Sequence, residues 1–253
     1  LQDTAIDAAS FTTVRIASGG LVLWLIVRWR DGGAPCDGTW PSAVALFVYA
    51  AGFSYAYIGL TAAVGALLLF GAVQATMIGY GLWRGERLAP RQLLGLVLAL
   101  TGLIGLLFPG LSAPPLPAAS LMLLAGVAWG VYSLRGAGAG DPTAVTAGNF
   151  LRATPLALLL SLATIPWLRL DTAGLGYAVA SGALTSGLGY AVWYAALRGL
   201  RATSAATVQL SVPVIAAVGG VLILGEPIGI RLLLASLAVL GGIGLVIAAR
   251  QPR

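Results

Sequence analysis

Side chains able to do chemistry are scarce in this chain of 253 residues, and their types narrow its role at once. Histidine is absent, all 14 basic residues are arginine, and the single cysteine is Cys36. An intrachain disulfide and a His/Cys metal site are therefore excluded, and neither a metal nor a cofactor is expected. Acid–base chemistry would have to come from eight carboxylates, all at or near the ends of long apolar runs. Glu86 and Glu226 make the most tempting pair, but the chain topology derived below sends them to opposite membrane faces. They are expected instead to end one helix and accept hydrogen bonds at the start of the next. With no His, no acid inside a run and no catalytic motif, the chain is not expected to be an enzyme.

Inside the runs the candidates are aromatic rings, amides and two arginines. Tyr49, Phe53 and Tyr57 recur every four residues and so share one helix face. Trp129 and Tyr132 lie three apart, and Tyr190 and Tyr194 four apart with Trp193 beside them. Such rings either pack helices together or wall a cavity, where their polar edges bond a solute and their faces receive an ammonium or a ring. Gln74 and Gln209 lie deep in apolar runs, where an amide needs a partner. Gln209 precedes Pro213 by four residues, so the proline ring frees the carbonyl of Gln209 itself. A loosened helix beside a polar side chain suits a midplane solute site, and interhelical hydrogen bonding is the plainer alternative for both amides and for Asn149. Arg15 and Arg152 are expected to snorkel, Arg15 toward Asp7 and Asp3. The sharper alternative has Arg152, flanked by Thr154 and Pro155, guide a cargo carboxylate at the cytoplasmic mouth. Trp40, Trp83 and Trp167 stand at run ends and read as an interfacial belt.

Composition dictates what must hold these residues. With 59% hydrophobic and 9% charged residues and a mean hydropathy of +0.95, the chain carries more apolar surface than a soluble core of this size can hide. Run lengths and Gly/Pro/charge punctuation give nine crossings, at 9–29, 41–58, 61–83, 91–108, 117–135, 143–168, 173–197, 202–224 and 229–249. A proline-rich linker, PGLSAPPLPAAS, separates the first four from the last five. Ten arginines then fall on one side, namely Arg28, Arg30, Arg84, Arg87, Arg91, Arg135, Arg198, Arg201, Arg250 and Arg253. Only Arg169 and Arg231 fall on the other. The positive-inside rule makes the first side cytoplasmic, which places the chain in a cell (inner or plasma) membrane with its C-terminus in the cytoplasm.

An internal repeat fits the same count. Residues 59–86 and 199–226 are the same length, both open with Gly-Leu and both close with Gly-Glu, 140 positions apart. Glu86 falls on the cytoplasmic side and its equivalent Glu226 on the other, so the halves are inverted. Inversion needs an odd number of crossings per repeat, and the expected fold is an all-α polytopic bundle with an inverted 5+5 repeat whose first helix precedes Leu1. The first repeat is read as 1–108, the linker as 109–116 and the second repeat as 117–253. Inverted repeats are an architecture of secondary carriers, in which a central site at the repeat interface opens to either side in turn.

Three stretches, GLTAAVG with GERLAPRQLLGLVLALTGLIGLL, GVAWGVYS, and GEPI followed by LAVLGGIGLVI, resemble the EamA-type branch of the drug/metabolite transporter superfamily over essentially the whole chain. The resemblance implies ten helices in two antiparallel halves and carriage of small metabolites, with YddG-type amino-acid exporters as one candidate relative. The chain departs from the pattern in lacking the first helix, and Val73 stands where the second repeat has Pro213. The resulting expectation is an exporter of small organic metabolites, amino acids including aromatic ones first, with nucleotide-sugar or drug carriage as the alternative and a non-transporting receptor or scaffold behind them. Its substrate-binding candidates are Tyr57, Phe53, Gln74, Trp129, Tyr132, Tyr190, Trp193, Tyr194, Gln209 and Arg152. Expected partners are the lipid bilayer and a small-molecule substrate, with no nucleic acid. The oligomeric state stays open, a monomer being compatible. Without a carboxylate in mid-membrane, flux is expected to follow the cargo's own gradient.

Overall fold

Apolar runs that must satisfy every backbone N–H and C=O inside lipid have one local solution, the helix. In the computed structural model, which describes residues 4–31, 37–108, 114–138, 140–215, 218 and 229–249, every regular element among the described residues is helical. The helices are α1 Ala8–Asp31, α2 Trp40–Ala56, α3 Ala62–Trp83, α4 Pro90–Leu107, α5 Leu116–Gly136, α6 Pro142–Ala163, α7 Thr172–Ala180, α8 Gly189–Ala196, α9 Ala202–Gln209 and α10 Ile230–Ala248. Their starts are written in the sequence. The side chains of Thr39, Thr61, Asp141 and Asp171 accept N–H bonds from the first turns of α2, α3, α6 and α7. Prolines occupy the opening turns of α2, α4 and α6, where a missing N–H costs nothing. Gly85 and Gly199 adopt φ of 87° and 79° just after α3 and α8, a backbone that L side chains resist.

Five of these helices are long and apolar enough to cross a membrane. Leu21, Leu25, Leu94 and Leu237 are among many large apolar side chains left exposed, a surface that lipid must cover. Trp40, Trp83 and Trp167 are exposed, as the belt reading requires. Three runs differ from the simple reading. The 143–168 run stops its α-helix at Ala163 and finishes as a 3₁₀ turn, Ile165–Trp167, with Pro166 at its centre. The 173–197 run is divided by a π-helical stretch, Ser181–Leu188, between α7 and α8. The 202–224 run breaks after Gln209, where Leu210 N bonds the carbonyl of Thr207, and helix resumes over 211–215. That break falls where Pro213 removes a hydrogen bond. Cys36, part of the linker, the second Gly-Glu with Glu226, and the last arginines, Arg250 and Arg253, lie outside the described residues.

The chain divides into two compact units, and each draws on both sequence halves. One comprises residues 1–60 and 114–200, the other 61–113 and 201–253. In the first unit α1 packs on α6, on α2 and on the π stretch, and α2 packs on α5. Threonine hydroxyls join these helices. Thr12 donates to Ser54 Oγ at 2.9 Å, and Thr13 to the carbonyl of Ala157 at 2.8 Å. Arg30 pairs with Asp141, Arg198 donates to the carbonyl of Gly140, and Arg135 donates to Ser42 and Thr39, so these three arginines share one end of the unit. At the opposite end Asp7 accepts the Arg169 N–H at 3.0 Å.

In the second unit α4 and α10, the two helices that the sequence reading pairs as repeat equivalents, meet each other. A Cβ added to Gly95 would lie 2.5 Å from the carbonyl oxygen of Gly242, and one on Gly102 would meet that of Ala235 at 3.0 Å. As the α4 number rises the α10 number falls, so these two helices, 140 positions apart in sequence, run antiparallel. Leu96, Ala99, Leu103, Val239 and Ile243 form their buried seam with Leu210 and Val214. Gly105, Gly241 and Gly244, on the same two helices, have open space around them. A direct consequence concerns Gly242. Gly242→Val forces backbone apart where it is closest, and overpacking of about 2–3 kcal/mol is expected. Thermal unfolding of the purified chain in detergent checks this, with Gly244→Val as the tolerated control.

Candidate functional site

Within the first unit, α2, α5 and α8 bring their aromatic faces into one contiguous cluster. Tyr49 lies 4.9 Å from Trp129 and 6.2 Å from Tyr190, ring centre to ring centre, and Trp129 lies 4.6 Å from Tyr190. The α2 stripe continues outward from Tyr49 to Phe53 at 5.7 Å and from Phe53 edge-on to Tyr57 at 4.7 Å. Inward, Tyr132 is 5.7 Å from Trp129 and 4.8 Å from Tyr194. Phe150 from α6 closes on Tyr190 at 5.8 Å.

These rings divide by environment. Tyr132 and Tyr194 are fully buried, and Tyr194 donates to the Tyr132 carbonyl at 3.0 Å while its ring lies flat over Gly136. That is the geometry of helix packing. Trp193 donates its indole N–H to Ser133 Oγ at 3.0 Å, another α8–α5 tie. Phe53, Tyr57 and Trp129 keep part of their surface open. Tyr57 also lines a cavity of about 680 Å³ at the end of the unit where α1 begins. Asp7, Tyr55, Thr164, Trp167 and Arg169 line it too. Partial burial there would raise the pKa of Asp7, but N–H donors from Arg169, Ser10 and Ala9 outweigh it and hold the carboxyl below its ordinary value.

Arg15 corrects the sequence reading most. It does not snorkel. The side chain is only 6% exposed, its Nε donates to Ser186 Oγ at 2.7 Å, and its Nη2 donates to Tyr190 Oη at 2.7 Å and to Tyr49 Oη at 3.5 Å. The guanidinium carbon lies 5.5 Å from the Phe53 ring centre and 5.6 Å from that of Tyr49. Tyr190 in turn donates to Tyr49 at 3.3 Å. Among the described residues no carboxylate pairs with this cation, although a buried charge is costly unless paired or well solvated. The sequence did hold a signal. Thr12, Arg15 and Gly19 recur on one face of α1, and such a small and polar stripe faces protein rather than lipid.

The π-helical stretch explains how Ser186 reaches Arg15. A Cβ on Gly182 would lie 2.1 Å from the carbonyl oxygen of Arg15, so α1 approaches this backbone as closely as only glycine allows. The wider turn seats Ser186, 1% exposed, against the guanidinium. π-Helical turns of this kind gather at functional sites.

The remaining candidates stand elsewhere. Arg152 donates to the Gly148 carbonyl at 3.0 Å and lies against Gly38, at the end of the unit that holds Arg135 and Arg198. Gln74 and Gln209 belong to the second unit. Gln74 Nε2 donates to the carbonyl of Ala206 at 2.6 Å, tying α3 to α9, and the amide oxygens of both glutamines are buried without a partner among the described residues. Asn149 Oδ1 accepts the Thr39 N–H at 3.0 Å. Glu86 does accept hydrogen bonds at the start of a helix, but that helix is α9 rather than the next one. It receives the N–H groups of Ala202 and Thr203 and the Thr203 hydroxyl, at 3.1, 3.2 and 2.8 Å.

A helical membrane bundle whose interior holds an aromatic cluster and a hydroxyl-bound cation has the makings of a solute-handling protein. The sequence profile described as the EamA-like transporter family matches residues 116–248, and the chain belongs to that family. The chain is 62% identical to the uncharacterized protein PA1977 of Pseudomonas aeruginosa, over all of this chain and 88% of that protein. A solved crystal structure shares the fold at a TM-score of 0.80 and 20% identity, covering 98% of this chain and 91% of the other.

Proposed function

We propose that this protein is a secondary carrier that exports small organic metabolites, amino acids with aromatic side chains first among them. It sits in the inner or plasma membrane with its C-terminus in the cytoplasm, and works by alternating access between its inverted repeats. The observation that carries the reading is the run of aromatic rings in the first unit, from the partly open Tyr57 at the 680 Å³ cavity through the partly open Phe53 to the buried Tyr49 and the partly open Trp129. Such a run lets an aromatic body trade one ring contact for the next, each of roughly 0.5–1.5 kcal/mol, without a deep trap on the way. The antiparallel pairing of α4 with α10 supports inversion of the repeats, the symmetry that gives two equivalent half-cycles.

The test is counterflow. Proteoliposomes of the full chain, preloaded with unlabelled tryptophan, are expected to accumulate labelled tryptophan and phenylalanine saturably, and an imposed pH gradient is expected to leave the initial rate unchanged. Counterflow of nucleotide sugars alone would move the chain to another branch of carriers. No flux of any solute would remove the carrier reading.

A further inference from the structure

The Arg15 cluster holds a positive charge that its neighbours solvate without neutralising. Ser186, Tyr190 and Tyr49 supply neutral hydroxyl oxygens to Nε and Nη2. Nη1 makes no hydrogen bond among the described residues, and no ion pair there reaches the guanidinium. The three hydroxyls are unequal partners. Ser186 and Tyr190 are at 2.7 Å, and Tyr49 stands at 3.5 Å, the limit of a hydrogen bond. Phe53 and Tyr49 present ring surface beside the cation, and Phe53 continues to Tyr57 at the cavity.

We infer that Arg15 is the anchor for a carboxylate on the transported solute, so that the site takes monoanionic or zwitterionic organic carboxylates with an aromatic or apolar body. The inference rests on the carrier reading for its cargo, and on the Arg15 geometry alone for the anion. A planar guanidinium fork matches a carboxylate, whose two oxygens accept from Nη1 and from the Nη2 proton that Tyr49 now holds weakly. One buried cation selects one negative charge. A dianionic phosphate would leave a net charge uncompensated in a site of low dielectric. The solute's body then lies along Phe53 and Trp129. The carboxylate-guiding role that the sequence offered to Arg152 is assigned here to the arginine of α1, whose guanidinium is buried beside the aromatic rings, whereas Arg152 lies at the unit's end against Gly38 and Gly148.

Binding to the detergent-solubilised full chain tests the anion site apart from transport. The probes are indole-3-acetate and tryptamine, which share a ring system and differ in the sign of the charged end. The wild-type chain is expected to bind indole-3-acetate, and Arg15→Gln to weaken that binding about 30-fold or more, the scale for removing one partner of a buried charged pair. Arg15→Lys, which keeps the charge and loses the fork, is expected to fall between them. Tyr49→Phe removes only the displaced hydroxyl and is expected to hold or tighten affinity, whereas a merely structural Arg15–Tyr49 tie predicts loss. Equal binding by Arg15→Gln, equal loss in the surface variant Arg91→Gln, a tenfold drop in Tyr49→Phe, or no carboxylate binding by the wild type would each overturn the inference. Counterflow separates the two claims. A chain that binds indole-3-acetate through Arg15 but moves no solute keeps the anion site and loses the carrier reading, and tryptophan flux undiminished in Arg15→Gln does the reverse.

Discussion

Trp129→Ala is expected to lower tryptophan counterflow about 30-fold or more while leaving leucine counterflow much less affected, with Trp129→Phe recovering most of the rate. Trp129 is the hub of the cluster, with ring contacts to Tyr49, Tyr190 and Tyr132 at 4.9, 4.6 and 5.7 Å. Those pairs hold Trp129 and its neighbours in place at roughly 1 kcal/mol each, so truncation removes both the solute's own stacking contact and the positions of the rings around it. Some of the loss will appear as lower stability, because truncating a large aromatic also opens a cavity. Rates are therefore normalised to the fraction of protein that elutes as a folded species. Phenylalanine restores ring contact without the indole N–H, so its recovery isolates the stacking contribution. A parallel fall of tryptophan and leucine rates in Trp129→Ala would assign the residue to packing and take it out of the solute path.

Glu86→Ala is expected to destabilise the second unit by about 2–3 kcal/mol, and Glu86→Gln by roughly half as much. The first turn of α9 has N–H groups that no intrahelical carbonyl can reach. The Arg201 side chain makes no capping bond there, and the Glu86 carboxylate does that work from the end of α3. Alanine leaves the two N–H groups and the Thr203 hydroxyl without their acceptor. Glutamine keeps one carbonyl oxygen but loses the charge that the positive end of the helix favours. The side chain is half-buried, so solvent screening keeps the loss well under that of three full charged hydrogen bonds. Thermal unfolding in detergent gives the loss directly, and a cycle with Thr203→Val isolates the coupling. Additive losses in that cycle would show that Glu86 and Thr203 act independently.

These two residues illustrate how unevenly the molecule could be read. Glu86 was recognisable as a helix-end carboxylate, since Gly-Glu closes an apolar run and Gly85 stops the helix at positive φ. Its actual partner, α9, lies 116 positions away, and no local pattern names such a partner. The stripe of Tyr49, Phe53 and Tyr57 was legible because a spacing of four puts side chains on one helix face wherever the helix goes. That Tyr132 and Tyr194 would bury completely while Trp129 stays partly open was not legible, because it depends on which helix stands opposite. Gln74 and Gln209 have the same composition signal as a solute site, yet Gln74 ties α3 to α9. The sequence gives equal weight to an amide that bonds a neighbour and one that bonds a guest, since both need only depth in an apolar run.

Composition, run length and capping residues determined by themselves that this chain is a helical membrane protein and where most of its helices begin and end. Those features follow from single-helix physics, because lipid forces backbone bonds to close within each segment and glycine, proline and side-chain caps mark the ends. Tertiary structure alone decided that each compact unit mixes helices from both halves, that α7 and α8 are joined by a π-helical stretch, and that Arg15 turns inward to Ser186, Tyr190 and Tyr49. An arginine two turns into an apolar helix has two ways to keep its charge solvated, reaching out to the headgroups or inward to hydroxyls. The free-energy difference between them rests on residues 34 to 175 positions away in sequence, which only the folded chain brings within reach.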